Sequence, residues 1–347
     1  MDRRGRLLGD IPLGQSTGLE IGALHAPLVR RTESHVRYVD YAPAETLRAN
    51  FRYTDADPAD IQEVDIVWGE RPLHEAAGGT VDYVVASHVV EHVPDLIGWL
   101  LEVHAVLKTD GVFGLAVPDR RYTFDVRRHV STPGEMVEAY LRRYRQPSLR
   151  QVFDAAALSK NSEEVESWRP GKSSGGLPAE VMKRLPLAFD LVKGIAAEPR
   201  YNDAHCWIFT PASFLDTAEA LSALHRFPFE IDQLFPTEPG TGEFQVRLKA
   251  VADGAGSAIA QSIHHARQEL AAYEQRAAAS GPMFQTIEPA AQEHALQASL
   301  SALEREKLAL GRENAALRAS LAAMRQSTSW RITMPLRAFK QLILRHG

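Results

Sequence analysis

Cysteine is almost absent from this chain of 347 residues, where Cys206 stands alone. One thiol excludes an internal disulfide and cannot build a cysteine-based zinc cluster. Long hydrophobic runs are missing as well. No segment reaches the roughly 18 consecutive apolar residues of a spanning helix, and the opening MDRRGRLLGD has no apolar core of a secretory signal. Positive charge is not in excess: the net charge is −5, which argues against a general nucleic-acid binder. The expected setting is a reducing cytoplasm. The 45% of apolar residues is ordinary for a globular protein, and the length allows one large domain with additions.

Residues 81–119, VDYVVASHVVEHVPDLIGWLLEVHAVLKTDGVFGLAVPD, organise what is present. Residues 81–86 are short and β-branched, so they read as a strand buried on both faces. Ser87, His88, Glu91 and His92 follow where that strand should end. Pro94 suits a first helical position, and Leu96, Leu100, Val103 and Leu107 recur at helical spacing. Asp110 and Gly111 are expected to stop that helix before a second buried strand over 112–117. Such a βαβ unit is right-handed with parallel strands. Ligands of open α/β sheets sit beyond the carboxyl ends of the strands, so residues 87–92 and 118–125 share one rim.

Upstream, residues 17–22 form a strand closed by a tight turn, 36–40 a second and 64–67 a third. Asp40 lies 18 residues beyond Gly22, where a carboxylate can accept hydrogen bonds from both hydroxyls of a ribose. Downstream, a helix is expected over 214–224, then strands over 229–234 and 243–250 joined by a turn holding Pro239, Gly240 and Gly242. The expected fold is α/β: a Rossmann-like seven-stranded sheet ending in a C-terminal β-hairpin, followed by a long helical coiled coil.

The succession LEIG, VDY, SHVVEHVPDL and LKTDGVFGLAVPDRRYTFD resembles a bacterial class I S-adenosylmethionine-dependent methyltransferase domain, within a domain expected over residues 1–250. The resemblance implies S-adenosylmethionine as cofactor. Glu20 and Gly22 would lie at its methionine end, Asp40 at its ribose, Glu70 near its adenine, and Ser87 and His88 along the same rim. The chain departs from the family at Ala23, Leu24 and His25, where further glycines are usual, and at Gly69, where an acid is usual.

His88, Glu91 and His92 fall at i, i+3 and i+4, which would bring them together on one helical turn. With His205, in NDAHCWIFTP, they resemble the metal site of metal-dependent 2′-O-methyltransferases of small RNAs, His88 replacing the first acid. By that resemblance the four are catalytic and hold a divalent ion. A histidine–carboxylate–histidine set suits zinc, iron or manganese better than magnesium. Two other readings stand beside it: a general base or substrate contact without metal, and a cap that packs the loop. Asp119, Arg120, Arg121 and Tyr122 follow the fifth strand on the acceptor side. Their arginines could grip a phosphate or carboxylate, or the stretch is a solvated loop. Residues 131–200 read as an acceptor lid, helical around 135–143 and 179–194 and divided by the flexible stretch 170–176.

A helical linker is expected over 251–293. Residues 294–326 carry a heptad with Leu296, Leu303, Leu310, Leu317 and Met324 at d and Leu300, Lys307, Asn314 and Leu321 at a. That pattern predicts a coiled coil and a homodimer; a single helix folded on the domain is the alternative. Residues 327–347 contain no acid, and Trp330, Leu336, Phe339 and Ile343 can share a face flanked by Arg337 and Lys340. Such a tail reads as a membrane-surface segment or a partner-docking helix. Its SWRITMPLR resembles the tail of enzymes of surface-polysaccharide assembly.

The function expected is methylation, on oxygen, of a glycan or nucleotide- or lipid-linked sugar in bacterial cell-surface polysaccharide synthesis, at the inner membrane face. The alternatives are a small-molecule or RNA methyltransferase with a partner-binding tail, and a non-catalytic scaffold.

Overall fold

The computed structural model describes residues 2–51, 56–69, 71–159, 178–252 and 254–279. The expected coiled coil over 294–326, the tail over 327–347, the end of the linker, the 170–176 break and Glu70 lie outside the described residues. Residues up to Arg276 form one compact unit.

The chain begins with α1 (Arg3–Leu8), then β1 (Thr17–Ile21), β2 (His35–Asp40), α2 (Ala44–Asn50), β3 (Ile66–Val67), α3 (Leu73–Ala77) and β4 (Val81–Ser87). It continues through α4 (Leu96–Val106), β5 (Leu107–Pro118), α5 (Pro133–Arg142), α6 (Leu149–Leu158), α7 (Ala179–Ala197) and α8 (Pro211–Ala223). Strands β6 (Phe229–Phe235) and β7 (Glu243–Ala250) precede α9 (Gly256–Ala279). The seven strands order as β3-β2-β1-β4-β5-β7-β6. β1 to β5 pair in parallel, and β7 runs antiparallel to both β5 and β6. The order reverses between β1 and β4, which opens a crevice at their carboxyl ends.

Period-two alternation decides which layer each strand residue joins. Val84 and Ala86 face a core shared with Trp99, Leu100 and Val103 of α4 and Phe214 of α8. Tyr83 and Val85 face a second core closed by Leu7 and Leu8 of α1. Because both faces are covered, β4 and the second half of β5 are apolar without a polar face. Gly18, paired with Tyr83 across β1 and β4, leaves space that the tyrosine ring fills; any side chain there would overlap it.

Three local expectations change. β5 starts at Leu107, before Asp110 and Gly111, because Leu107 already pairs with Val81 and a bulge then resets the register so that Val112 pairs with Tyr83. The Asp-Gly pair punctuates a strand. α4 is capped by Asp95, whose carboxylate accepts from the Gly98 N–H at 2.9 Å, so Pro94 sits outside the helix. β3 is only two residues long, since the Asp65 carboxylate turns back to accept from the Tyr38 N–H at 2.7 Å. Within 131–200, α6 packs on α7 through Val152 and Ile195, a helix that apolar spacing alone does not announce. No helix among the described residues is long and apolar enough to cross a membrane.

Candidate active site

The carboxyl ends of β1, β2, β4 and β5 bring the chemistry-bearing residues to one rim. Gly22, just past β1, has φ +72, and a Cβ on it would stand 2.6 Å from Val89 Cγ2. The β1 turn is thus pressed against the β4 loop, which only glycine permits. Gly22→Ala should lower stability by about 1–3 kcal/mol through left-handed strain and overlap, read as a shift in the urea midpoint.

Glu20 is bonded to its own loop. Its carboxylate is 3% exposed and accepts the N–H groups of Leu28 and Val29 at 2.7 and 3.0 Å. Burial pushes it up to about 7 against those two bonds. Glu20 therefore holds the loop after β1. Asp40 differs. It is 9% exposed, accepts among the described residues only from the Tyr41 N–H at 2.8 Å, and burial pushes it up to about 6. A buried carboxylate with one neutral donor has capacity for more, and the two hydroxyls of a ribose fit that need.

Past β4, His88 takes φ +54, in the left-handed region that a non-glycine residue rarely adopts. Its Nε2 lies 2.6 Å from Glu243 Oε2, and its Nδ1 is 3.6 Å from Glu91 Oε1. Arg3 of α1 binds the same Glu243 through two nitrogens at 2.6 and 2.7 Å and donates to Ser87 Oγ at 2.6 Å. Burial acts to raise Glu243, but hydrogen bonds from His88 and Arg3 outweigh it and hold the carboxyl well below the usual range. A cavity of about 510 Å³ lies beside this group, lined by Arg3, Arg6, His88, Thr123, Glu238 and Glu243 among others.

Residues 90–92 form a single 3-10 turn, so His88, Glu91 and His92 do not share an α-helical face. The residues that converge are Glu91, His92 and His205, each offering a ligand atom within 4.8 Å of the others. His88 is outside that set, held by Glu243. Backbone bonds from Cys206 and Trp207 N–H to the Glu91 carbonyl join the two segments. Glu91 is 1% exposed, and neither carboxylate oxygen has a hydrogen-bond partner among the described residues. The histidines are held from behind. His205 Nδ1 sits 2.5 Å from Asp125 Oδ2, and His92 Nδ1 2.9 Å from Asp203 Oδ1. Asp125 is 2% exposed and also binds Arg128 at 3.0 Å. Burial acts to raise Asp125, but His205 and Arg128 hold it below the usual range. Burial acts to lower His92; Asp203 and Glu91 outweigh it and raise the ring.

With Nδ1 occupied, Nε2 is the nitrogen each ring has to offer a ligand, and carboxylates behind ligating histidines are what a metal site requires. An orphaned buried carboxylate and two pre-oriented imidazoles fit a divalent cation.

The four residues expected on the acceptor side lie together on the loop after β5. Asp119 is fully buried, capping a 3-10 turn, bonded to Arg121 and accepting from Thr237 at 2.7 Å. Arg121 is thereby engaged, and Arg120 donates to the Val126 carbonyl at 2.6 Å. Tyr122 remains half-buried on the same turn. These residues fix the β5 loop. The sequence reading missed Asp125, Arg128, Asp203 and Glu243. The first three sit within or beside quoted motifs, but only the fold tells which carboxylate backs which histidine; Glu243 carried no signal.

Residues 14–113 match the profile of a family described as a methyltransferase domain. Among curated proteins none matches the chain. Similar solved structures include a protein described as an S-adenosylmethionine-dependent methyltransferase of Listeria monocytogenes, at 12% identity, covering 69% of this chain and 92% of that one, with a TM-score of 0.33. A Mesorhizobium loti protein of the same description has 14% identity, coverage of 69% and 92%, and a TM-score of 0.32. A Rhodobacter sphaeroides protein described as a zinc-dependent alcohol dehydrogenase reaches 0.39 at 14% identity, covering 73% of this chain and 91% of that one. At such identities and scores these likenesses carry no argument about activity. Residues 14–113 are thus similar to a methyltransferase domain, and they lie within a seven-stranded mixed α/β sheet.

Proposed function

We propose that the chain transfers a methyl group from S-adenosylmethionine to an oxygen acceptor, with a divalent metal at Glu91, His92 and His205. Asp40 carries the cofactor part: a buried carboxylate with a single backbone donor among the described residues, at the carboxyl end of β2. Asp40 would accept from the ribose hydroxyls while Gly22 lets the β1 turn approach the cofactor.

Methyl transfer from a sulfonium is an in-line displacement, so positioning does most of the work. A metal, when bound, lowers the pKa of a coordinated hydroxyl and so supplies the nucleophile at neutral pH. The chain's own part is orientation. Asp125 and Asp203 fix the two imidazoles, and the buried Glu91 supplies negative charge beside them. His88, held by Glu243 at the mouth of the α1 cavity, is placed to meet an acceptor there.

The acceptor we infer is a glycan or nucleotide- or lipid-linked sugar of bacterial surface-polysaccharide assembly, methylated by a dimer at the inner membrane face. Support comes from a cavity rich in paired arginines and carboxylates, groups suited to polyols, and from the sequence of residues 294–347. Removing residues 327–347 should abolish co-sedimentation with anionic vesicles; unchanged binding would contradict the membrane claim. A second reading, a ribose 2′-hydroxyl of a small RNA, is favoured by the Glu91–His92–His205 cluster. Labelled methyl transfer to sugar-linked lipid or to RNA in parallel assays separates the two.

A further inference from the structure

The two histidines of the triad are held in unlike ways. His205 is fastened by Asp125, which is 2% exposed and locked by the buried Arg128. That support is permanent. His92 is fastened by Asp203, whose side chain is 61% exposed on the rim. The same Oδ1 that bonds His92 at 2.9 Å accepts the Tyr201 hydroxyl at 3.2 Å. Tyr201 in turn stacks on Tyr41, with centroids 6.3 Å apart and planes 24° from parallel. Tyr41 follows Asp40 and donates its N–H to the Asp40 carboxylate. One continuous path thus runs from Asp40 through Tyr41, Tyr201 and Asp203 to His92.

We propose that Tyr201 and Asp203 are positioning residues that couple cofactor to metal: a ligand ordering Asp40 and Tyr41 orders Tyr201, steadies Asp203 and so fixes the His92 imidazole for metal. This rests on the cofactor and metal reading above. Tyr41 is 62% exposed and Tyr201 52% exposed, so both rings have orientational freedom to lose. A ligand that removes it for the first binding event leaves less to lose in the second, which is positive cooperativity. The coupling is reciprocal: metal must tighten cofactor by the factor that cofactor tightens metal. Asp125 lies off this path, so the coupling acts through His92 alone.

The test is calorimetric titration of Mn²⁺ into the full chain, with and without saturating S-adenosylhomocysteine. The product should tighten Mn²⁺ by about fivefold or more, within the usual range of such couplings. Tyr201→Phe keeps the ring and deletes the hydroxyl, and should reduce that effect to less than about twofold. Asp203→Ala should weaken Mn²⁺ about 10–100-fold, and Asp203→Asn, which keeps an acceptor for the His92 N–H, should recover part of the loss. Asp125→Asn should weaken Mn²⁺ yet leave the response to S-adenosylhomocysteine in place. Equal Mn²⁺ affinity with and without the product, or full coupling in Tyr201→Phe, would overturn the inference while sparing the reading beneath it. Absence of Mn²⁺ or S-adenosylhomocysteine binding in the folded chain would overturn both.

Discussion

Glu91→Gln should abolish divalent-metal binding and, in chelator, leave the protein as stable as the parent or more so. Glu91 is 1% exposed with both carboxylate oxygens unpartnered among the described residues. Burying a carboxylate without donors costs several kcal/mol, which a fold retains only where something else compensates. Removing its negative charge relieves that cost in the metal-free protein and deletes a ligand in the metal-bound one. The two effects oppose each other, and that opposition is diagnostic. Saturation at 100 times the Kd stabilises the parent by about 2.7 kcal/mol, and Glu91→Gln should show none of it. Thermal unfolding in EDTA and in Mn²⁺ reads both. A structural Glu91 would instead lose stability on substitution in either buffer.

Asp40 should give the largest effect on cofactor. Each hydrogen bond to a charged acceptor contributes about 1.5–3 kcal/mol, so losing two to the ribose lowers affinity by about 10²–10⁴-fold in Asp40→Ala. The sign of the pH dependence follows from burial, which pushes the Asp40 carboxyl up to about 6. The ionised form that accepts from two hydroxyls prevails above that value, so affinity is flat from pH 7 upward. It falls about tenfold per unit below pH 6. Stability runs the other way. A carboxyl raised on folding contributes fully below its unfolded value near 4 and loses that contribution as pH rises through about 6. Asp40→Asn should therefore stabilise the cofactor-free protein at pH 8, by about 1–3 kcal/mol, while weakening cofactor. Titrations across pH 5–8 with urea unfolding at both ends measure the two together.

The parallel core was legible because β4 and the second half of β5 are buried on both faces and therefore read as apolar runs, with Glu20 inside β1 and Asp40 and Ser87 at the ends of β2 and β4. What escaped the sequence depends on residues far apart along the chain. His88 reads as a ligand beside Glu91 and His92, yet its partner is Glu243, 155 positions away. Arg3 reaches that same carboxylate across 240 positions. Asp119 and its arginines look like an exposed charged loop, because nothing local reveals that Thr237 and the Phe209 segment close over Asp119. The convergence of Glu91, His92 and His205 was suggested by motif, but its support by Asp125 and Asp203 is a tertiary fact. Spacing alone put the three acid and imidazole groups of residues 88–92 on one helix; the left-handed turn at His88 instead aims its Nε2 at Glu243 while Glu91 and His92 meet His205.

The most direct test of the account is calorimetric titration of S-adenosylmethionine and S-adenosylhomocysteine into the full chain, with Mn²⁺ and in chelator. The account predicts stoichiometric binding of both, lost in Asp40→Ala and strengthened by Mn²⁺. No binding of either compound by the folded protein under any of these conditions would contradict it and leave a scaffold with a methyltransferase fold.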